Sequence, residues 1–206
     1  MKTSKQDIRQ AALALFADRG YEAVSVRDIA EVLSLSKGAL YRHFADKRAI
    51  LDAILENADF TASLPTPHDA AALADFGKNS FARLTGGDSA ALFRLLTVGQ
   101  YGDEVLQYAY DKYLWQQPLE KIAPAFFTLP VSRREEAALT FWSPLLVLAG
   151  RYSRAVDKAS LLQAAAEHCR TAAARLTRTA EERQTTLLAA AALGRRKRFS
   201  NRNSKF

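Results

Sequence analysis

The sequence predicts an all-α chain: a three-helix N-terminal domain with a helix-turn-helix, joined to a larger C-terminal helical domain. Three observations carry this. Alanine and leucine are abundant, while 206 residues hold only nine glycines and six prolines, a mix that favours helix at most positions. Apolar residues recur three and four apart over long stretches, the spacing of one helix face. Serine or aspartate stands just ahead of several of these stretches, and glycine or proline follows them, as start and stop signals.

The elements follow in order. Ile8, Ala11, Ala12, Leu15 and Phe16 mark one face of a helix over 5–19, and Gly20 is placed to end it. Ser25 is an N-cap candidate with Asp28 three residues on, a capping box with a short acid. Ile29, Ala30 and Leu33 are the buried stripe of a short second helix, which breaks at Ser34 with Leu35 plugging the turn. Ser36 caps a third helix, Lys37 to Phe44, that turns Leu40 and Phe44 inward. Asp46 caps a fourth, expected to run to about Ala62 with Ile50, Leu51, Ile54 and Leu55 inward. Pro65 and Pro67 close it. Helices are then expected near 68–85, 89–99, 103–128, 133–153 and 158–176, with Pro118 and Pro124 dividing the third of these and Pro144 kinking the fourth. The expected organisation is 1–50 as the head, 51–176 as the body and 177–206 as a loose basic extension.

Two short helices joined by a tight turn make a helix-turn-helix. A helix of eight residues is not stable alone, so 37–44 must lean on its neighbours and leave its other face free. Each polar position there has a use on DNA. Ser36 begins the recognition helix, where its hydroxyl and nearby amides can meet a phosphate. Lys37, Gly38 and Ala39 form the turn that enters a major groove first. Gly38 is costly inside a helix, and close approach of DNA explains it. Tyr41, Arg42 and His43 follow on the exposed arc, and Arg27 leads the preceding helix. Lys47 and Arg48 start a helix, where the dipole disfavours cations, and a bound phosphate resolves that conflict. The bland readings are a surface glycine, a packing tyrosine and solvated cations.

Net charge adds little to this. The chain carries +7, but residues 170–206 hold ten basic side chains against Glu181 and Glu182. The head has nine basic against six acidic residues.

Residues 5–55, through AALALFADRGYEAVSVRDIA and then LSKGALYRHFADKRAIL, resemble the DNA-binding domain of the TetR family of bacterial transcriptional repressors. The order is specific: phenylalanine and glycine-tyrosine before the second helix, S-K-G-x-L-Y in the third, F-x-x-K after it. The resemblance implies a homodimer on a two-fold-symmetric double-stranded DNA operator. Carried over by position, Tyr41 and Lys47 are phosphate contacts. Arg27, Lys37, Ala39 and His43 are base or near-base contacts, with Ser25, Ser36 and Arg42 adding backbone ones. Ser34 departs from the family, which usually has glycine in that turn.

The stretch ALFRLLTVGQYGDEVLQYAYDKYLWQQPLEKIAPAF resembles the middle helices of AcrR-like members. It implies a body that binds a small apolar or amphipathic effector and forms the dimer. Phe93, Tyr101, Tyr108 and Trp142 are pocket candidates, with Gln100 or Arg94 orienting a polar end; the alternative is that they fill the core. Phe141, Trp142, Leu145, Leu162, Ala166 and Cys169 are the expected dimer face. Effector binding would favour a dimer whose reading heads no longer match the operator spacing, with the fourth helix as the lever.

Other functions find less support. No Ser–His–acid grouping or metal-ligand spacing stands out among His43, His68, His168 and Cys169, so no catalytic residue, metal or cofactor is expected. A single cysteine, no secretory start and no stretch of about 20 apolar residues point to a cytoplasmic chain without a membrane span. A regulator without an inducer, or a helical interaction module with a basic nucleic-acid tail, are the remaining alternatives.

Overall fold

A computed structural model describes residues 3–127 and 129–175. Among these, the secondary structure is entirely helical. The head holds α1 (Lys5–Arg19), α2 (Val26–Val32) and α3 (Lys37–Tyr41), and α4 (Lys47–Leu55) runs across the expected boundary. The body adds α5 (Ala70–Thr85), α6 (Gly87–Gly99), α7 (Glu104–Tyr110), α8 (Gln117–Ile122), α9 (Val131–Tyr152) and α10, helical over 158–175. The expected extension at 177–206 lies outside the described residues.

The caps form where the sequence puts them. Ser4 with Asp7, and Ser25 with Asp28, each make a complete capping box. Asp46 and Asp69 accept the amides of Ala49 and Ala72 at 2.7 Å. Gly20 ends α1 at φ 88°, ψ 149°, a region open essentially to glycine alone.

The fourth helix stops earlier than expected, at Leu55. No glycine or proline marks that point. The chain leaves the helix there because Phe60 and Thr61 are pulled into the core. The Asn57 side-chain amide donates to the carbonyl of Ala53 at 2.9 Å and satisfies one of the terminal acceptors. The third helix is shorter too, ending at Tyr41, although Phe44 N–H still donates to Leu40 O at 3.1 Å.

The long segment after Gly102 is divided as the prolines predict. A π-helical turn, Asp111–Gln116, joins α7 to α8, and a 3-10 turn, Ala123–Phe126, ends it. Pro118 has no N–H to offer the carbonyl of Leu114. The indole N–H of Trp142 donates to that carbonyl instead, at 2.6 Å. Pro144, by contrast, is carried inside the unbroken α9.

One contiguous buried cluster runs from Ile8 in the head to Ala173 in α10. α1 packs along both α4 and α6, so head and body share a core across the expected boundary. At Gly77 in α5 the packing is close: a Cβ there would stand 2.6 Å from Cys169 Sγ and 2.7 Å from the Phe141 ring. Only glycine lets α5 meet α9 and α10 at that distance.

This packing changes the expected dimer face. Phe141, Trp142, Leu145 and Cys169 have no exposure within the single chain. They face inward against α5 and α8 and are core residues rather than contacts for a second copy. Leu162 remains 46% exposed, and Ala166 is half-buried. The exposed apolar residues of α9 are Val131, Leu139 and Val147. Burial pushes the Cys169 thiol up to about 12, which keeps it protonated and inert at neutral pH.

Candidate nucleic-acid interface

The turn between α2 and α3 is built by backbone hydrogen bonds. Ser34 N–H donates to Glu31 O at 3.0 Å, and Leu35 N–H donates to Ala30 O at 2.8 Å. This is the paired bonding of a Schellman motif, with Ser34 at the left-handed C′ position. Its φ is +53°, the one positive value among the described non-glycine residues. Leu35 packs partly into the core beside it, which locks the angle between the two helices. The departure from glycine at Ser34 therefore leaves the turn geometry intact.

Leu40 is fully buried and Phe44 nearly so. Anchored by these two, α3 turns Ser36, Lys37, Gly38, Tyr41 and Arg42 outward, with Ala39 and His43 half-buried at its edges. Ser25 and Arg27, at the start of α2, are exposed as well. Tyr41 is 43% exposed and carries Lys37 over its ring, with the ammonium 5.6 Å from the centroid. A Cβ built at Gly38 meets nothing within 4 Å. No packing inside the chain thus calls for glycine at that place.

Ser25 and Ser36 already have structural work. The Ser36 hydroxyl accepts Ala39 N–H at 3.1 Å. The Ser25 hydroxyl, and next its amide, hold the Asp28 carboxyl below the ordinary carboxylate range. Each cap fixes the first turn of a helix whose amides point outward.

Lys47 and Arg48 find acceptors within the chain. Lys47 Nζ donates to the carbonyl of Tyr21 at 2.9 Å and sits 4.2 Å from the centroid of its ring. Arg48 pairs with Asp52 and with Asp103, each at 3.3 Å. Cations at this helix start are therefore compensated without a bound anion. Lys47 is half-buried, and its ammonium retains two further protons for an acceptor outside the chain.

Sequence reading missed Asp103. Its Oδ1 caps α7 through Val105 and Leu106 N–H, at 2.9 and 3.0 Å, while its Oδ2 takes Arg48. One carboxylate so ties the start of α4 to the start of α7. The signal available was an aspartate ahead of a helix after Gly102; its second partner is 55 residues away.

The expected pocket residues do not converge. Phe93 and Arg94 line a cleft beside α6. Trp142 is buried on Leu114, the Gln100 side chain bonds back to Thr97 O at 2.9 Å, and Tyr101 and Tyr108 are 86% and 62% exposed. No group of His, Cys, Asp or Glu that could hold a metal occurs among the described residues, and none of their helices is long and apolar enough to cross a membrane.

Comparison with known proteins agrees with this geometry. Residues 8–54 match the family described as bacterial regulatory proteins, tetR family. The HTH-type transcriptional repressor KstR2 of Mycobacterium tuberculosis is 38% identical over 55 residues, covering 27% of this chain and 28% of that protein. The class C tetracycline repressor protein of Escherichia coli is 38% identical over 71 residues, covering 33% and 32%. The chain thus spans about a third or less of these relatives' length. Likeness of fold extends further. A TetR-family transcriptional regulator from Marinobacter aquaeolei superposes with a TM-score of 0.62 at 20% identity, covering 87% of this chain and 98% of that one. SmeT, the repressor of the Stenotrophomonas maltophilia multidrug efflux pump SmeDEF, gives 0.58 at 19%, covering 83% and 90%. The head thus matches the tetR family of bacterial regulatory proteins, and the body has the fold of these regulators.

Proposed function

We propose that this chain is a homodimeric transcriptional repressor that binds a palindromic operator and is released from it by a small-molecule effector. The observation that carries the DNA-binding part is the outer face of α3. Lys37, Tyr41 and Arg42 are exposed around a glycine that nothing inside the chain requires. A groove wall is the partner that fits, since it supplies both the close approach at Gly38 and the phosphates for the flanking cations. Ser25, Arg27, Ser36, Ala39, His43 and Lys47 complete the footprint. The relatives named above are a transcriptional repressor and a tetracycline repressor protein.

A two-fold dimer sets two such helices into successive major grooves, about 34–36 Å apart. The effector part of the reading rests on the large helical body and on the tie from α4 to α7 through Asp103. A ligand that shifts α6 or α7 would move α4, and with it the head.

The test is selection of bound sequences from a random DNA pool by the purified protein at a fixed, stated salt. A palindromic consensus with half-sites one helical turn apart is expected. Recovery of no consensus would sink the proposal.

A further inference from the structure

A cleft of about 680 Å³ opens where the end of α1, α6 and the junction of α9 with α10 meet. Four cations from three separate places in the chain line it: Arg19, Arg94, and the neighbouring Arg154 and Lys158. Asp18 is the one acidic residue among its lining. Lys158 sits 5.3 Å from the centroid of the Tyr152 ring. The guanidinium groups of Arg19, Arg94 and Arg154 have no hydrogen-bond or ion-pair partner among the described residues.

The neutral groups of the cleft narrow the chemistry. The hydroxyls of Thr85 and Thr97 donate to the carbonyls of Phe81 and Phe93, both at 2.7 Å, and Ser153 turns to Gly150 O. Besides the tyrosine hydroxyls of Tyr21 and Tyr152, the side-chain donors left to an occupant are the cations. Val98, 64% exposed, supplies apolar surface beside them, next to the largely buried Phe93 and Leu84. Like charges gathered in a concavity raise its potential and its attraction for an anion. The volume lies within the range of small-molecule sites, roughly 300–1,000 Å³, and far exceeds what an inorganic anion fills.

We propose that this cleft binds a small amphipathic anion, a carboxylate carried on an apolar tail. The carboxylate lies against Arg94 and Arg154, and the tail lies along α6 toward Val98. The assignment builds on the reading of the chain as an effector-responsive regulator. It places the effector at the seam of head and body, against Gly20 and Tyr21, rather than within the body.

Calorimetric titration of the full chain with decanoate, decanol and acetate tests it. Decanoate is expected to bind saturably, one per chain, and about tenfold or more tighter than decanol, the worth of a charge-assisted hydrogen bond. Acetate at the same concentration shows no saturation. The Arg94→Gln, Arg154→Gln double variant should lose about tenfold or more toward decanoate and nothing toward decanol, with unchanged helicity and melting. The two single variants, each with a smaller loss, cover failure of the double variant to fold. Decanoate binding that ignores both arginines, binding no tighter than decanol, or no saturable binding overturns the proposal. Loss of operator binding in the double variant without any decanoate binding marks the patch as a phosphate contact and also overturns it. Operator affinity is measured separately. A chain that binds its selected DNA but not decanoate keeps the regulatory reading and loses this one. A chain that binds decanoate through these arginines with no change in operator affinity keeps the cleft and loses effector control.

Discussion

Gly38 and Ser34 occupy each other's expected chemistry. Glycine inside a helix costs about 1 kcal/mol against alanine, and Gly38 has an ordinary φ with open space where a Cβ would stand. Gly38→Ala should therefore stabilise the free protein by roughly 0.5–1 kcal/mol. The same methyl group would stand between α3 and a groove wall. Operator affinity is expected to fall at least about tenfold, or 1.4 kcal/mol. Thermal melts and an operator titration read the two effects on one sample. Unchanged operator affinity would show that DNA does not approach here. Ser34 is the reverse case, a residue with a Cβ held at φ +53°. The left-handed region costs a non-glycine residue about 1–2 kcal/mol. Ser34→Gly should recover about 1 kcal/mol of that and raise Tm by about 2–4 °C. A fall in Tm would show that the serine side chain stabilises the turn.

At the level of elements, what the sequence shows is what neighbours in the chain decide. The capping boxes at Ser4 and Ser25 were readable because both partners lie three residues apart. The inward Leu40 and Phe44 followed from helical spacing. The end of α4 was not readable, since its cause is the burial of Phe60 and Thr61 by tertiary packing. Nor was the partner of Lys47, because the carbonyl that accepts its hydrogen bond is 26 residues away in a loop. The seam cleft draws its cations from three segments, which no local pattern connects. The tie between α4 and α7 is of the same long-range kind and can be measured. Asp103→Asn keeps an N-cap oxygen and removes the charge, while Arg48→Met keeps the stem and removes the guanidinium. A double-mutant cycle should give a coupling of about 0.5–1 kcal/mol at low salt, since Arg48 is partly open to solvent. The coupling should shrink toward zero in concentrated salt. No coupling at low salt would show that α4 and α7 are joined by packing alone.

At the level of the whole molecule, the apolar period of α9 serves two surfaces at once. Phe141, Trp142 and Leu145 form the wall of the protomer's own core. Leu139 and Val147, eight residues apart on the outer side, are exposed, as is Leu162 on α10. Apolar periodicity cannot tell a core from an interface, which is why the expected dimer face took in core residues. The distinction has opposite consequences under mutation. Val147→Glu with Leu162→Glu places two carboxylates on exposed positions of a folded protomer. In a dimer joined through α9 and α10 those carboxylates would be buried without partners, at a cost of several kcal/mol. Sedimentation should show a monomer with unchanged helicity, and operator affinity should collapse because a single head reads one half-site. Trp142→Ala should instead destabilise the protomer by about 3–5 kcal/mol through the cavity it leaves, and it also removes the indole donor to the Leu114 carbonyl. Its melting point would fall before any dissociation was seen. A dimer that survives both glutamates would place the two-fold axis on another face.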